Sequence, residues 1–288
     1  MDFSSLDDLR ARGAALGADP VLMVLTEDEV EIASTLRHHL DAGFRRIVLA
    51  LPPGIRAPSP LPEGVSCLSL DRRPDDLASA CVTALIEGRP DGAWIGYVYN
   101  AEYLFHPFAE TRRIGEALRF CTEERRDSIL CATIDLYGGT NLAEGAVVDP
   151  SAAWMDGAGY FALARPGGPH GHPLERQLDL HGGLRWRFEE HVPPDRRRID
   201  RVALFRARRD LRLLPGHLTS DPELNTYACP WHHSLTACTA SFRAAKALAT
   251  NPASRAAIDT FRWAGSMPFE WRAGQLMDLG MMEPGQWF

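Results

Sequence analysis

The chain has 288 residues, 45% of them apolar and 24% charged, which excludes a disordered polypeptide and leaves ample material for a buried core. Its formal net charge is −7, which argues against recognition of nucleic acid through overall positive charge. No run approaches the roughly 18 to 20 consecutive apolar residues that span a bilayer, and the acidic first eight residues lack the basic-then-apolar order of a signal peptide.

Val21-Leu22-Met23-Val24-Leu25-Thr26 is almost wholly apolar and predicts a strand covered on both faces. Glu27-Asp28-Glu29 then suits the positive start of a helix, in which Val30, Ala33, Leu36, Leu40 and Phe44 recur at helical spacing and Gly43 closes the segment. A second strand over 46–51 ends at Pro52-Pro53-Gly54. The alternation continues with a strand over 65–70, a helix marked by Leu77, Cys81 and Leu85 that ends near Gly88, and a strand over 94–99. A helix over 109–125, with Ile114, Leu118 and Cys121 inward, and a strand over 129–136 complete it. This succession predicts an α/β fold with a mainly parallel sheet and helices on both faces. Ligands then belong at the carboxyl ends of the strands, around Thr26-Glu27, Leu51-Pro52 and 100–104.

After Gly138 the pattern loosens. Residues 139–198 are rich in Gly, Pro, His and Arg, with a loop at Arg165-Pro166-Gly167-Gly168-Pro169; helical character returns over 241–261, and the tail carries Trp263, Trp271 and Trp287. These tryptophans either staple the tail to the core or offer a stacking surface. The whole reads as one domain over 1–288, with a core over about 19–242 and a helical tail over 243–288.

Common chemical signatures are missing: there is no G-x-x-x-x-G-K-[ST], strand-linked G-x-G-x-x-G, G-x-S-x-G or H-E-x-x-H. The six cysteines (67, 81, 121, 131, 229 and 238) are dispersed without a C-x-x-C pair, so a disulfide framework is not expected and a cytoplasmic location, at most peripheral at the inner membrane face, is. Neighbours His38-His39 and His232-His233 point to different sides of any regular element. Lys246 is the only lysine, which by itself reads as a compositional bias. The run from Arg196 through Arg201, Arg206 and Arg212 is either a solvated face or an anion site for phosphate oxygens.

Several segments together resemble one family. Val24-Leu25-Thr26-Glu27-Asp28, followed by Leu36-Arg37-His38-His39-Leu40-Asp41-Ala42-Gly43-Phe44, is similar to the opening of bacterial glycosyltransferase family 2-like proteins. There a strand ends in Asn-Glu and a helix carries His-His or Tyr-His before a Gly. The segment 94–104 stands where that family carries a strand into Asp-x-Asp-Glu-Phe-Leu; Ile134-Asp135-Leu136-Tyr137 resembles its Leu-Asp-Met-Tyr, and Leu213-Leu214-Pro215-Gly216-His217 its late Gly/Ser-x-His turn. The resemblance implies a GT-A (Rossmann-like) fold and transfer of a sugar from a nucleotide-sugar to a saccharide or other acceptor. It also implies a divalent cation, Mn or Mg, held by the two aspartates with a late histidine. At those aspartate positions this chain has Tyr99 and Ala101, and only Glu102 keeps its carboxylate; Leu51-Pro52-Pro53-Gly54 carries no aspartate for the nucleotide pocket, and His233 or Leu235 takes the place of a later family histidine.

Under this reading Glu102 or Asp135 deprotonates the acceptor, Thr26, Glu27, Arg201 and Arg206 face the nucleotide, and His217 is a metal or phosphate ligand. Glu27 and Glu102 have structural readings too, as a helix-start acid and a carboxylate buried against an arginine. The alternative function is a non-catalytic relative that binds a saccharide, a nucleotide or a partner transferase. A zinc hydrolase built from the histidines comes third.

Overall fold

A computed structural model of the chain describes residues 1–139, 142, 146–225 and 234–287; Cys229, His232 and His233 lie outside the described residues. In chain order the elements are α1 (Leu6–Arg12), β1 (Val21–Leu25), α2 (Ile32–Asp41), β2 (Arg46–Leu51), β3 (Val65–Ser69), α3 (Leu77–Gly88), β4 (Trp94–Tyr99), β5 (Glu102–Phe105), α4 (Ile114–Glu123) and β6 (Ser128–Tyr137). There follow β7 (Trp154–Asp156), β8 (Phe161–Pro166), β9 (Pro173–His181), α5 (Gly183–Arg187), β10 (Asp200–Arg206), β11 (Leu213–Leu214), β12 (Leu218–Thr219), β13 (Ala237–Ser241), α6 (Arg243–Thr250), α7 (Pro252–Ala257), β14 (Ser266–Pro268) and α8 (Ala273–Asp278).

The central sheet runs β14-β7-β6-β10-β4-β1-β2-β3, with β13 joining β6 and carrying β5. The fold is α/β and Rossmann-like, but the sheet is mixed. β3, β2, β1 and β4 are mutually parallel, β10 runs antiparallel between β4 and β6, and β13 is parallel to β6 while β5 is antiparallel to β13. Alternation along β1 sends Val21, Met23 and Leu25 into one core with α1 and α3, and Leu22 and Val24 into another with α2 and α4. A third core gathers around β5, β13 and α8, and a fourth around Tyr137, α5 and α6.

The sequence pattern departs from the structure in definite places. The predicted helix over 109–125 is shorter, because α4 begins at Ile114 with Glu116 Oε2 accepting from the Arg113 backbone N–H at 2.7 Å. The helix predicted over 241–261 is two, since Asn251 caps α7 and Pro252 starts it. The loosely patterned 139–198 stretch holds the β8–β9 hairpin, so Arg165 and Pro166 belong to a strand rather than a loop. All three tail tryptophans make internal contacts: Trp287 packs on Phe108 and Phe120 beneath Arg112, Trp271 meets Tyr103, and Trp263 Nε1 donates to Asp156 at 2.8 Å. Among the described residues no helix is long and apolar enough to cross a membrane.

Strand order places the topological switch point. The chain moves outward from β1 to β2 and β3, then returns to put β4 on the other side of β1. The connections therefore diverge at the carboxyl ends of β1 and β4, the crevice where open α/β sheets bind ligands.

The α1–α3 crossing is a close backbone approach supporting this half. A Cβ on Gly88 would lie 2.5 Å from the Leu9 carbonyl oxygen, and one on Gly13 2.9 Å from the Gly88 oxygen. Gly88→Ala is expected to destabilise the protein by roughly 1–3 kcal/mol through overpacking, read as a lower urea midpoint with unchanged slope. An unshifted midpoint contradicts the crossing.

Candidate functional site at the β1/β4 switch point

Register brings the polar side chains together. Leu25 pairs with Tyr99 across β1 and β4, while Ser241 pairs with both Glu102 and Asp135 across β13. Three strands thus present Glu102, Ser241 and Asp135 in a row at one edge of the sheet. Between β4 and β5 the chain reverses through Asn100 and Ala101, the latter at φ 60° and fully buried. That left-handed alanine is a strained residue, held because its N–H donates to Thr35 Oγ1 and its carbonyl accepts from Phe242 N.

Glu102 is completely buried and completely partnered. Arg201 Nη2 donates to its Oε2 at 2.6 Å, the Tyr99 N–H donates to the same oxygen at 2.8 Å, and Ser241 Oγ donates to Oε1 at 3.1 Å. Burial alone would raise its pKa, but Arg201, Arg243 and these hydrogen bonds outweigh that and hold it down at about 2. Such a carboxylate is a poor proton acceptor. Its work is to anchor Arg201.

A second layer of charge is more open. Arg243, the first residue of α6, grips Glu27 with Nε at 2.7 Å and Nη2 at 2.8 Å, and its guanidinium lies 3.4 Å from the centre of the Tyr99 ring. One turn later Lys246 Nζ stands 2.6 Å from Asp28 Oδ2. Asn100 fixes this loop, accepting from the Glu27 N–H and donating to Asp28 Oδ1 and the Val30 carbonyl. Paired cations hold the pKa values of both Glu27 and Asp28 below the usual carboxylate range in spite of burial.

Asp135 stands apart chemically. Its Oδ2 accepts from the Arg185 N–H at the start of α5, while Oδ1 has no hydrogen bond and meets only Arg185 Nε at 3.4 Å. Burial raises its pKa, with Arg185 offsetting part of the rise. A Cβ at Gly183 would reach 2.9 Å from Oδ2, so only a bare backbone lets α5 sit here. His217, in a turn at φ 63°, lies over Tyr97 and Tyr99 with Nδ1 3.2 Å from the Tyr97 hydroxyl. Burial, Arg201 and Arg243 push its pKa well below the ordinary value, so the ring is neutral.

Of the residues singled out from sequence, Glu27, Glu102, Asp135, Arg201 and His217 gather at this edge. Thr26 borders it, but its hydroxyl donates to the Ala50 carbonyl at 2.6 Å. Arg206 is not part of the cluster: β10 pairs it with Trp94 at the opposite end of β4, where it binds the Gly92 carbonyl and Asp127. The arginine run does not form one anion site either, since Arg198 pairs with Asp179 and Asp200, Arg208 with Asp221 and Arg212 with Glu87. Sequence reading places Asn100 in the 100–104 segment where a ligand is expected, but does not single out Arg243, Lys246, Asp28 or Ser241. The available signal was two cations at i, i+3 directly after the short run Ala237-Cys238-Thr239-Ala240-Ser241.

The side chains present do not fit the divalent cation that the resemblance implies. The Glu102 oxygens are taken by donors, Ala101 has no oxygen to offer, and His217 faces guanidiniums that repel a metal ion. Among the described residues no three His, Cys, Asp or Glu side chains form a metal cage.

Glu102→Gln leaves Arg201 buried and without its counter-charge, and is expected to cost roughly 3–5 kcal/mol of stability at neutral pH. Because the folded-state pKa is depressed, this advantage of the native chain is complete above the ordinary carboxylate value of 4.5 and fades as pH falls toward about 2. Unfolding of both proteins across that window checks it; a difference independent of pH contradicts the ion pair.

Comparison with known proteins finds no matching family model and no matching curated protein.

Proposed function

We propose that this chain binds a nucleotide-sugar at the β1/β4 switch point and transfers the sugar to a saccharide or other acceptor, as a GT-A-like transferase whose own cations replace a metal ion. One observation carries this reading: Arg185, Arg201, Arg243 and Lys246, drawn from three distant parts of the chain, converge at the carboxyl ends of β1, β4 and β6. The parallel order β3-β2-β1-β4 followed by antiparallel β10 is compatible with it.

The chemistry follows from charge. Cleavage of the bond to the leaving diphosphate builds negative charge on phosphate oxygens, and fixed guanidiniums stabilise it most where water is scarce. Arg201 is oriented for this by Glu102, and Arg243 by Glu27 and the Tyr99 ring. The acceptor hydroxyl needs a base. Asp135 suits that task better than Glu102, because its pKa is raised and Oδ1 accepts no hydrogen bond; its side chain is fully buried, so this role requires the Arg185 segment to move aside for the acceptor.

A second reading, a non-catalytic ligand-binding relative, is favoured by a different observation. Each of the four cations already faces a carboxylate, so the site is neutral as it stands.

Calorimetric titration with nucleoside diphosphates, and assay of donor hydrolysis or sugar transfer in chelator, separate these possibilities. The transferase reading expects binding and turnover that persist in chelator. It also expects a loss of about 10²–10⁴ in kcat for Asp135→Asn, with diphosphate affinity little changed. Binding without turnover selects the second reading, and activity that vanishes in chelator and returns with manganese overturns the metal-free mechanism.

A further inference from the structure

The chain has 31 basic Lys and Arg residues, and a single one of them is lysine. That lysine is at the switch point. Its side chain is 14% exposed, its Nζ is covered by Asp28, and it shares one face of α6 with Arg243. On a solvated helix face the two residue types are interchangeable, whereas at a ligand they differ. Arginine's planar fork commits it to one geometry, while an ammonium is a compact charge whose three donors rotate to new partners.

The two pairs on α6 differ from the deeper pair in one further respect. Glu102 and Arg201 are 0% and 3% exposed and cannot exchange partners, but Glu27, Asp28 and Arg243 keep part-exposed side chains, and Lys246, exposed along its stem with Nζ buried, lies against the more open Asp28. Glu27 and Asp28 are consecutive, so they set two anionic groups side by side against two cations one helical turn apart. A diphosphate offers the same arrangement of charge. The loop backbone is held apart from these pairs by Asn100 at the Glu27 N–H and the Val30 carbonyl and by Arg73 at the Glu27 carbonyl; Asp28 Oδ1 accepts from Asn100 and the Val30 N–H, so the oxygen that exchanges is Oδ2.

We propose that Arg243 and Lys246 form a diphosphate seat on α6 that Glu27 and Asp28 occupy in the free protein, and that two phosphoryl groups of the ligand displace these carboxylates. The proposal rests on the nucleotide-sugar reading for its physiological ligand, but the seat itself is testable with inorganic pyrophosphate.

Lysine uniqueness makes the assay direct. Acylation of the intact chain by an N-hydroxysuccinimide acetate reports Lys246 by mass spectrometry, with the terminal amine as internal reference. Saturating pyrophosphate is expected to slow Lys246 modification about tenfold relative to that reference, the scale of one charged contact. Asp28→Asn, which removes a competing anion, is expected to tighten pyrophosphate binding by about the same factor, and Lys246→Met to weaken it. A purely structural ion pair does not tighten ligand binding when broken. Pyrophosphate that binds without protecting Lys246, an unchanged affinity in Asp28→Asn, or no binding to either protein overturns the seat; the labelling arm uses the unmutated chain and so does not depend on how the variants fold. Protection by pyrophosphate, with a nucleoside diphosphate binding no better, upholds the seat and overturns the nucleotide reading. Tight nucleoside diphosphate binding with Lys246 unprotected does the reverse.

Discussion

Burying a carboxylate at the edge of a sheet is tolerable only when something positive is buried with it. Glu102 imposes that constraint here, and much of the site's arrangement follows from it. It draws Arg201 inward from β10, ties β4 to the start of β5 through the Tyr99 N–H, and reaches β13 through Ser241. With Ser241 fixed at the end of β13, α6 starts two residues later and brings Arg243 and Lys246 over the end of β1. The deep pair sets geometry, and the shallower pairs keep part of their side chains exposed. Depth therefore separates two jobs that a list of charged residues would merge.

Much of the β1–β6 half was legible because its strands are buried on both faces and read as unbroken apolar runs between helices of clear period. What escaped was set by tertiary pairing. The segment Glu102-Tyr103-Leu104-Phe105 carries no strand signal of its own and forms a strand because β13, more than 130 residues later, pairs with it. Arg201 and Arg206 belong to one arginine run, but five residues of extended chain separate them by about 17 Å. Register with β4 then puts the first at the switch point and the second at the far end. The break at Asn251-Pro252 carried its signal openly, a capping side chain followed by a residue that lacks an N–H.

Asp135 shows how one carboxylate acquires its character from a distant segment. It lies two residues before the end of β6, and the bare backbone at Gly183 allows α5 to sit against it, so one oxygen accepts the Arg185 N–H while the other lies near the Arg185 guanidinium without a hydrogen bond. Glu102 lies on β5, joined to it across β13 at the same edge, with a depressed pKa where Asp135 has a raised one. Opposite shifts in neighbouring acids follow from the charge each faces, two guanidiniums at Glu102 and one at Asp135, with hydrogen bonds adding to it, rather than from burial, which both share.

Under the proposed function guanidiniums stand in place of a divalent ion, and that would change more than the source of charge. A metal ion concentrates two charges at a point and exchanges water for phosphate oxygens, whereas arginines spread theirs over planes that must be aimed by partners. At this site those partners are Glu27, Glu102 and the Tyr99 ring. The tyrosine and alanine that stand at the aspartate positions of the resembled family fit the same logic. Tyr99 gives Arg243 a face to lie on, and Ala101 turns the chain tightly enough to set Glu102 beneath Arg201. Carboxylates at those two positions would hold these arginines more firmly, and the proposed exchange of the outer pair depends on their absence.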